Sequence, residues 1–185
     1  MGKVKRIRIE ELYGYRMPSA EEKRQIYNYL QKELLTRRKQ MKLFRTVFAC
    51  FAIAMTSGNI LNISEKSLNA ELVIGIIITI ALWCAFAAVH KNLVKNRILE
   101  IRVKNGEYKV LDCLSYEHHY AQDPTRTEGS VQIQTRDGVP CMGNFVIDIE
   151  TALLSEKGKV FPLLLMYDKE TGESRVFSEK MLNQR

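Results

Sequence analysis

From Leu72 to Val89 the chain runs for eighteen residues without a charged side chain, although 26% of the sequence is Asp, Glu, Lys or Arg. As a helix this run spans about 27 Å, close to the hydrocarbon thickness of a bilayer. Buried helices of soluble domains usually keep one polar face. This run keeps none: Ile, Leu, Val, Ala, Phe and Trp fall on every side. A second uncharged run, Thr46 to Ser64, precedes it, with Thr56, Ser57, Asn59 and Asn62 diluting its outer half. Two such runs joined by a short link read as a transmembrane helical hairpin.

The flanking charges give an orientation. Arg37, Arg38, Lys39, Lys42 and Arg45 precede the first run; Lys91, Lys95 and Arg97 follow the second; the link carries Glu65, Lys66 and Glu71. Basic charge on one side only is the positive-inside pattern. It predicts a multi-pass protein of the cell membrane with both termini cytoplasmic. Those eight basic residues are expected to contact anionic inner-leaflet lipid.

The location of the net charge weighs against nucleic acid as a partner. Residues 1–45 hold 13 basic and 5 acidic side chains, whereas residues 90–185 hold 14 of each. A nucleic-acid binder would carry its basic face on the folded domain. The expected partners are instead the bilayer and a membrane or cytoplasmic protein, or further copies of the chain.

Within the hairpin, Cys50, Ala54 and Gly58 recur at four-residue spacing, as do Ala81 and Ala85. Small residues let membrane helices approach closely. These five are the expected helix–helix contact, with Ala54 facing Ala81 and Cys50 facing Ala85.

The rest of the chain supplies an arm and a domain. Residues 1–18 form a basic segment, a short strand around Val4, Ile7 and Ile9 or a mobile tail. Ser19 and Glu22 form a capping box behind Pro18, opening an amphipathic helix over 19–42 with Ile26, Leu30 and Leu34 on one stripe. This helix runs toward, or into, transmembrane helix 1 over 43–64. An external loop covers 65–71 and transmembrane helix 2 covers 72–90.

From 98 to 185 the alternation of strands takes over. Asn105-Gly106 sits between two alternating runs and predicts a hairpin turn, with Leu99, Ile101 and Val103 on one face. Further turns are expected at Asp137-Gly138, Gly158 and Gly172, and a helical turn within 150–159. Pro162 predicts an edge strand or a bulge. The fold class is therefore α+β: an N-terminal amphipathic helix, a two-helix transmembrane hairpin and a small antiparallel β domain, barrel or sandwich.

No catalytic, cofactor or metal-binding motif is visible. The four cysteines have neither C-x-x-C nor zinc spacing. Glu117, His118 and His119 carry the one alternative, a membrane-bound enzyme or metal-dependent module. Neighbouring strand residues point to opposite faces, which argues against one metal held by both histidines. The favoured expectation is a non-catalytic membrane protein whose hairpin anchors a cytoplasmic β domain for protein–protein interaction or self-assembly.

Overall fold

A computed structural model describes residues 7–65, 70–119, 128–148 and 160–183. Two long helices dominate the first half: α1 (Ala20–Glu65) and α2 (Ala70–Asn105). The start of α1 is fixed by the capping box. The Glu22 N–H donates to Ser19 Oγ (3.2 Å), and the Ser19 N–H donates to Glu22 Oε2 (2.7 Å). From there α1 runs unbroken through Glu65, so the amphipathic stretch and the first apolar run are one helix. The chain forms two compact units, residues 1–31 with 99–185, and residues 32–98.

The first unit is built on five antiparallel strands: β1 (Lys109–His119), β2 (Glu128–Thr135), β3 (Phe145–Asp148), β4 (Pro162–Asp168) and β5 (Glu173–Ser178), in the order β3-β2-β1-β4-β5. Residues paired across strands share a face. Leu111, Leu165 and Val176 therefore line one side, and Val110 and Met166 the other. All five are buried. The sheet curls so that β3 and β5 nearly meet, and Ser178 Oγ donates to Asp148 Oδ2 across the gap (2.8 Å). The same hydroxyl accepts the Met181 N–H and caps the short helix α3 (Glu179–Asn183). One face of the curled sheet is thus its interior. On the opposite face Tyr29 of α1 stands edge-on to Phe177 at 5.6 Å.

Three local expectations are corrected. Asn105-Gly106 is not a hairpin turn: α2 continues through Asn105, and Gly106 ends it with φ +73°. Leu99 and Val103 are buried one helical turn apart, while Ile101 between them is 50% exposed, which alternation does not allow. The domain's strands therefore start only at Lys109, and five lie among the described residues. Pro162 lies neither on an edge strand nor at a bulge. It is the first residue of β4, an inner strand, where the missing N–H costs no ladder bond farther along.

The turns at Asp137-Gly138 and Gly172 are present, with φ +78° and +65° at the glycines. Ile7 makes a parallel bridge to Cys141 instead of a full strand. Val4, the tip of the link at 66–69, the turn at Gly158 and the helical turn within 150–159 lie outside the described residues.

The second unit is an antiparallel pair of helices, both long and apolar enough to span a membrane. Their mutual contact is narrow. In the most apolar eighteen-residue windows only 6% of α1 and 11% of α2 is buried within the protein. Phe51, Ile53, Ile60, Ile74, Ile77 and Ile80 all face outward.

Candidate functional site

Polar side chains, not small ones, mark the line where the two helices meet. Asn59 Nδ2 donates to Thr79 Oγ1 (2.8 Å), and that hydroxyl donates to its own helix at the Gly75 carbonyl (2.9 Å). One turn away Trp83 Nε1 donates to Thr56 Oγ1 (3.2 Å), which donates to the Ala52 carbonyl (2.6 Å). Gly75 makes room for the amide: a Cβ there would stand 2.5 Å from Asn59 Oδ1. Near the other end the buried Asn96 amide donates to the Leu34 carbonyl (3.2 Å). Two of the residues that weaken the first apolar run as a hydropathy signal, Thr56 and Asn59, hold the pair together, while Ser57 and Asn62 are exposed. In an apolar medium a hydroxyl or amide needs such a partner.

The five small residues are placed differently from the expectation. Cys50, Ala54 and Ala81 are exposed on the pair, and open space surrounds Gly58. Ala85 alone is half-buried, on the stripe that also holds Leu82 and Val89. The physical reason is the placement of Thr56 and Asn59. Turning them inward to Thr79 and Trp83 rotates the 50-54-58 stripe away from the partner helix.

The eight basic residues cluster where the uncharged runs end. Lys39, Lys42, Lys91, Lys95 and Arg97 are exposed; Arg37, Arg38 and Arg45 are half-buried. Arg37 pairs with Glu33 one turn earlier at 3.0 Å.

In the β domain a groove of about 530 Å³ opens over Leu114, Leu164 and Phe177, rimmed by Glu22, Asp112 and Arg136. Its charges are engaged with one another. Arg16 lies 2.6 Å from Glu22 and 3.1 Å from Asp112, and Arg136 lies 3.4 Å from Asp112. Hydrogen bonding to Arg16 holds the Glu22 carboxyl down at about 2. A carboxylate so stabilised in its charged form is a poor proton carrier near neutrality.

The thiols point the same way. Burial pushes Cys113 up to about 12 and Cys141 up to about 11, so both stay protonated at neutral pH. A nucleophilic cysteine needs the opposite shift. His118 and His119 pair through their backbones with Val131 and Ser130, just past a register shift after Ser115. Their side chains, and that of Glu117, lie outside the described residues.

One polar cluster went unnoticed in the sequence. Asp168, fully buried at the end of β4, accepts from Arg102 Nε (2.8 Å) and from the Thr171 hydroxyl (2.6 Å) and N–H (3.2 Å). Burial alone would raise this carboxyl. The bonds from Thr171 and Arg102 outweigh burial and leave it below its ordinary value. Arg102 also donates to the Glu107 carbonyl (2.6 Å), tying the end of α2 to the start of β1. Every bond of the carboxylate is spent on neighbouring chain, so the cluster is a structural clamp. Its only forewarning is an Asp three residues before a Thr at a Gly turn, a common local motif. No family model, no curated protein and no solved structure matches this chain.

Proposed function

We propose that this chain is a non-catalytic integral membrane protein of the cell membrane. Its helix pair crosses the bilayer twice, with both termini cytoplasmic, and anchors the β domain there for interaction with a protein partner or with copies of itself. The observation that carries this reading is the surface of the helix pair. It presents Ile, Leu, Val and Phe outward along both apolar spans, while Thr56 and Asn59 bond to Trp83 and Thr79 of the other helix. Water is a poor solvent for the first group, and acyl chains are a poor solvent for the second. The one-sided basic flanks supply the orientation.

The anchoring role follows from what the β domain offers. Glu22 and Asp168 are held in the charged form and Cys113 and Cys141 in the protonated one, as a scaffold requires. The test is alkaline carbonate extraction of membranes from cells making the full chain. The protein should stay in the pellet and be released by detergent. Recovery in the carbonate supernatant would overturn the reading. Protease added outside sealed cells should leave the C-terminal third intact, and trimming of that third would reverse the orientation.

A further inference from the structure

On the outer face of the curled sheet, α1 lies toward one end of the strands. Arg16 bonds both Glu22 and Asp112, and Tyr29 stands on Phe177, so α1 passes from the side of β1 at Glu22 to β5 at Tyr29. Asp112, Leu164 and Phe177 form one row across β1, β4 and β5. The next row on this face, Leu114 and Pro162, is groove floor. The row after that holds Tyr116 and Val160, because Ser115 bonds to Phe161 between the two rows. Tyr116 is 39% exposed and Val160 59%. Successive rows on one face lie about 7 Å apart along the strands. The strip between α1 and the Tyr116–Val160 row therefore has the width of one further helix, since packed helices stand about 8–10 Å apart.

The two ends of this trough carry opposite charge. Thr135, Cys113, Leu163 and Ser178 form a single row across β2, β1, β4 and β5. Arg136 follows Thr135 at one end and is 71% exposed; Glu179 follows Ser178 at the other end and is also exposed. Both line the groove. Three strand spacings across and two residues along the strands put them about 16 Å apart, the rise of about eleven helical residues.

The surroundings select the occupant. Leu114 is paired on both sides, to Gln134 and to Pro162, so an added strand finds no open ladder here. One cation and one anion give no surplus to attract an anionic leaflet. Outside the apolar spans, a second copy offers no free amphipathic helix among the described residues. The stripe of α1 is buried at Ile26, Leu30 and Leu34, and α3 has five residues.

We propose that this trough docks an amphipathic helix of a partner protein. Its apolar stripe lies on Leu114, Pro162, Tyr116 and Val160, with an acidic residue against Arg136 and a basic one against Glu179 about three turns away. This rests on the anchoring reading above and adds the face used and the chemical class of the partner.

The experiment uses the full chain in nanodiscs of phosphatidylcholine. The probe is a synthetic helical peptide of about 16 residues, with Leu on one face and with Glu and Lys about eleven residues apart toward its ends. One control is the same composition scrambled to destroy the helical period. Another carries Lys at both ends. Fluorescence anisotropy should show the probe binding about tenfold tighter than the scramble. The double variant Y116S/V160S, at two exposed positions, should abolish that preference. R136E should shift the preference from the probe to the Lys-ended peptide by about threefold, a gain that a misfolded chain does not show. Equal binding of probe and scramble, or indifference to either variant, overturns the inference. Loss of probe binding when phosphatidylserine is added to the disc would place the bilayer on this face. A dimer in detergent that Y116S/V160S turns into monomers would place a second copy there. Either result also overturns the inference. Release by carbonate defeats the membrane reading and leaves peptide binding to be measured in solution, whereas an inserted chain blind to the helical pattern defeats the inference alone.

Discussion

The helix pair and the β domain solve one problem with opposite materials. In the pair, the contacts that fix register are neutral: an Asn amide on a Thr hydroxyl, an indole N–H on a second Thr, and an Asn amide on a backbone carbonyl. In the β domain the corresponding lock is ionic, a buried carboxylate held by Arg102 and Thr171. On the membrane placement proposed above, the difference follows from what surrounds each lock. A β domain has a dense polar backbone beside its core, so a buried charge can collect two hydrogen bonds within one turn and a third from Arg102. Two helices in an apolar medium have no spare backbone donors, because each N–H is used within its own helix. A neutral side chain with one partner is what such a site tolerates.

The largest expected effect breaks the ionic lock. Asp168→Ala leaves the Thr171 hydroxyl and N–H without their acceptor and takes from Arg102 its shortest side-chain partner. Arg102 is partly exposed and keeps Glu107, which softens the loss. We expect a destabilisation of roughly 2–3 kcal/mol, read as a lower melting temperature of the full chain in detergent by circular dichroism. An unchanged melt would mean that the clamp contributes nothing. Asp168→Asn should cost less, since the amide oxygen still accepts.

Acid should attack the same domain through Glu22. Its carboxyl ordinarily titrates at 4.5 and is held at about 2 when folded. A depressed carboxyl contributes stability that is present above its unfolded value and is lost as pH falls toward the folded one. The loss should therefore lie between pH 4.5 and about 2. Because Arg16 is substantially exposed, the contribution is only about 1 kcal/mol. Glu22→Gln should shrink the acid step in a melting-temperature profile against pH. An identical profile in wild type and variant would remove Glu22 from the account. Asp168, also depressed, should destabilise the domain in the same direction.

What could be read from the sequence divides along the same line. The capping box at Ser19 and Glu22 was legible because both partners lie within three residues. So were the two long apolar helices and an antiparallel domain, whose signals are periodic and local. Asn105-Gly106 misled because the pair serves two structures, a two-residue hairpin turn and a helix end, each needing a positive φ at Gly. Leu99 to Val103 fits both periods if Ile101 is ignored, and only its exposure decides. Pro162 misled because one missing N–H is compatible with an edge or with a strand's first residue, and neighbours in space settle which. The Arg102–Asp168 clamp joins residues 66 apart, a separation at which no periodicity speaks.

Gly106 gives a smaller test of the helix end. At φ +73° an L side chain is strained, and its Cβ would meet Lys23 Cδ at 2.8 Å. Gly106→Ala should cost about 1 kcal/mol in the same melting experiment, whereas Gly106→Asn, tolerant of this region, should cost less. Equal costs would argue that the contact with Lys23, and not backbone strain, sets the penalty.

The neutral lock should be the weakest to break. Hydrogen bonds between membrane helices average about 0.6 kcal/mol, because the separated helices also find partners. Asn59→Val should therefore cost about that much when the full chain in mixed micelles is titrated with a denaturing detergent. Trp83, the only tryptophan, is the reporter, since its indole lies on the same stripe. Gly75→Ala should cost more, because its methyl claims the space of Asn59 Oδ1 and forces the amide away from Thr79. Combining the two substitutions separates the causes. Once Asn59 is Val, part of the Gly75→Ala penalty has already been taken, so the effects should sum to more than the double variant shows. Strict additivity would mean that Gly75 is not there to admit Asn59, and that the helices meet along some other line.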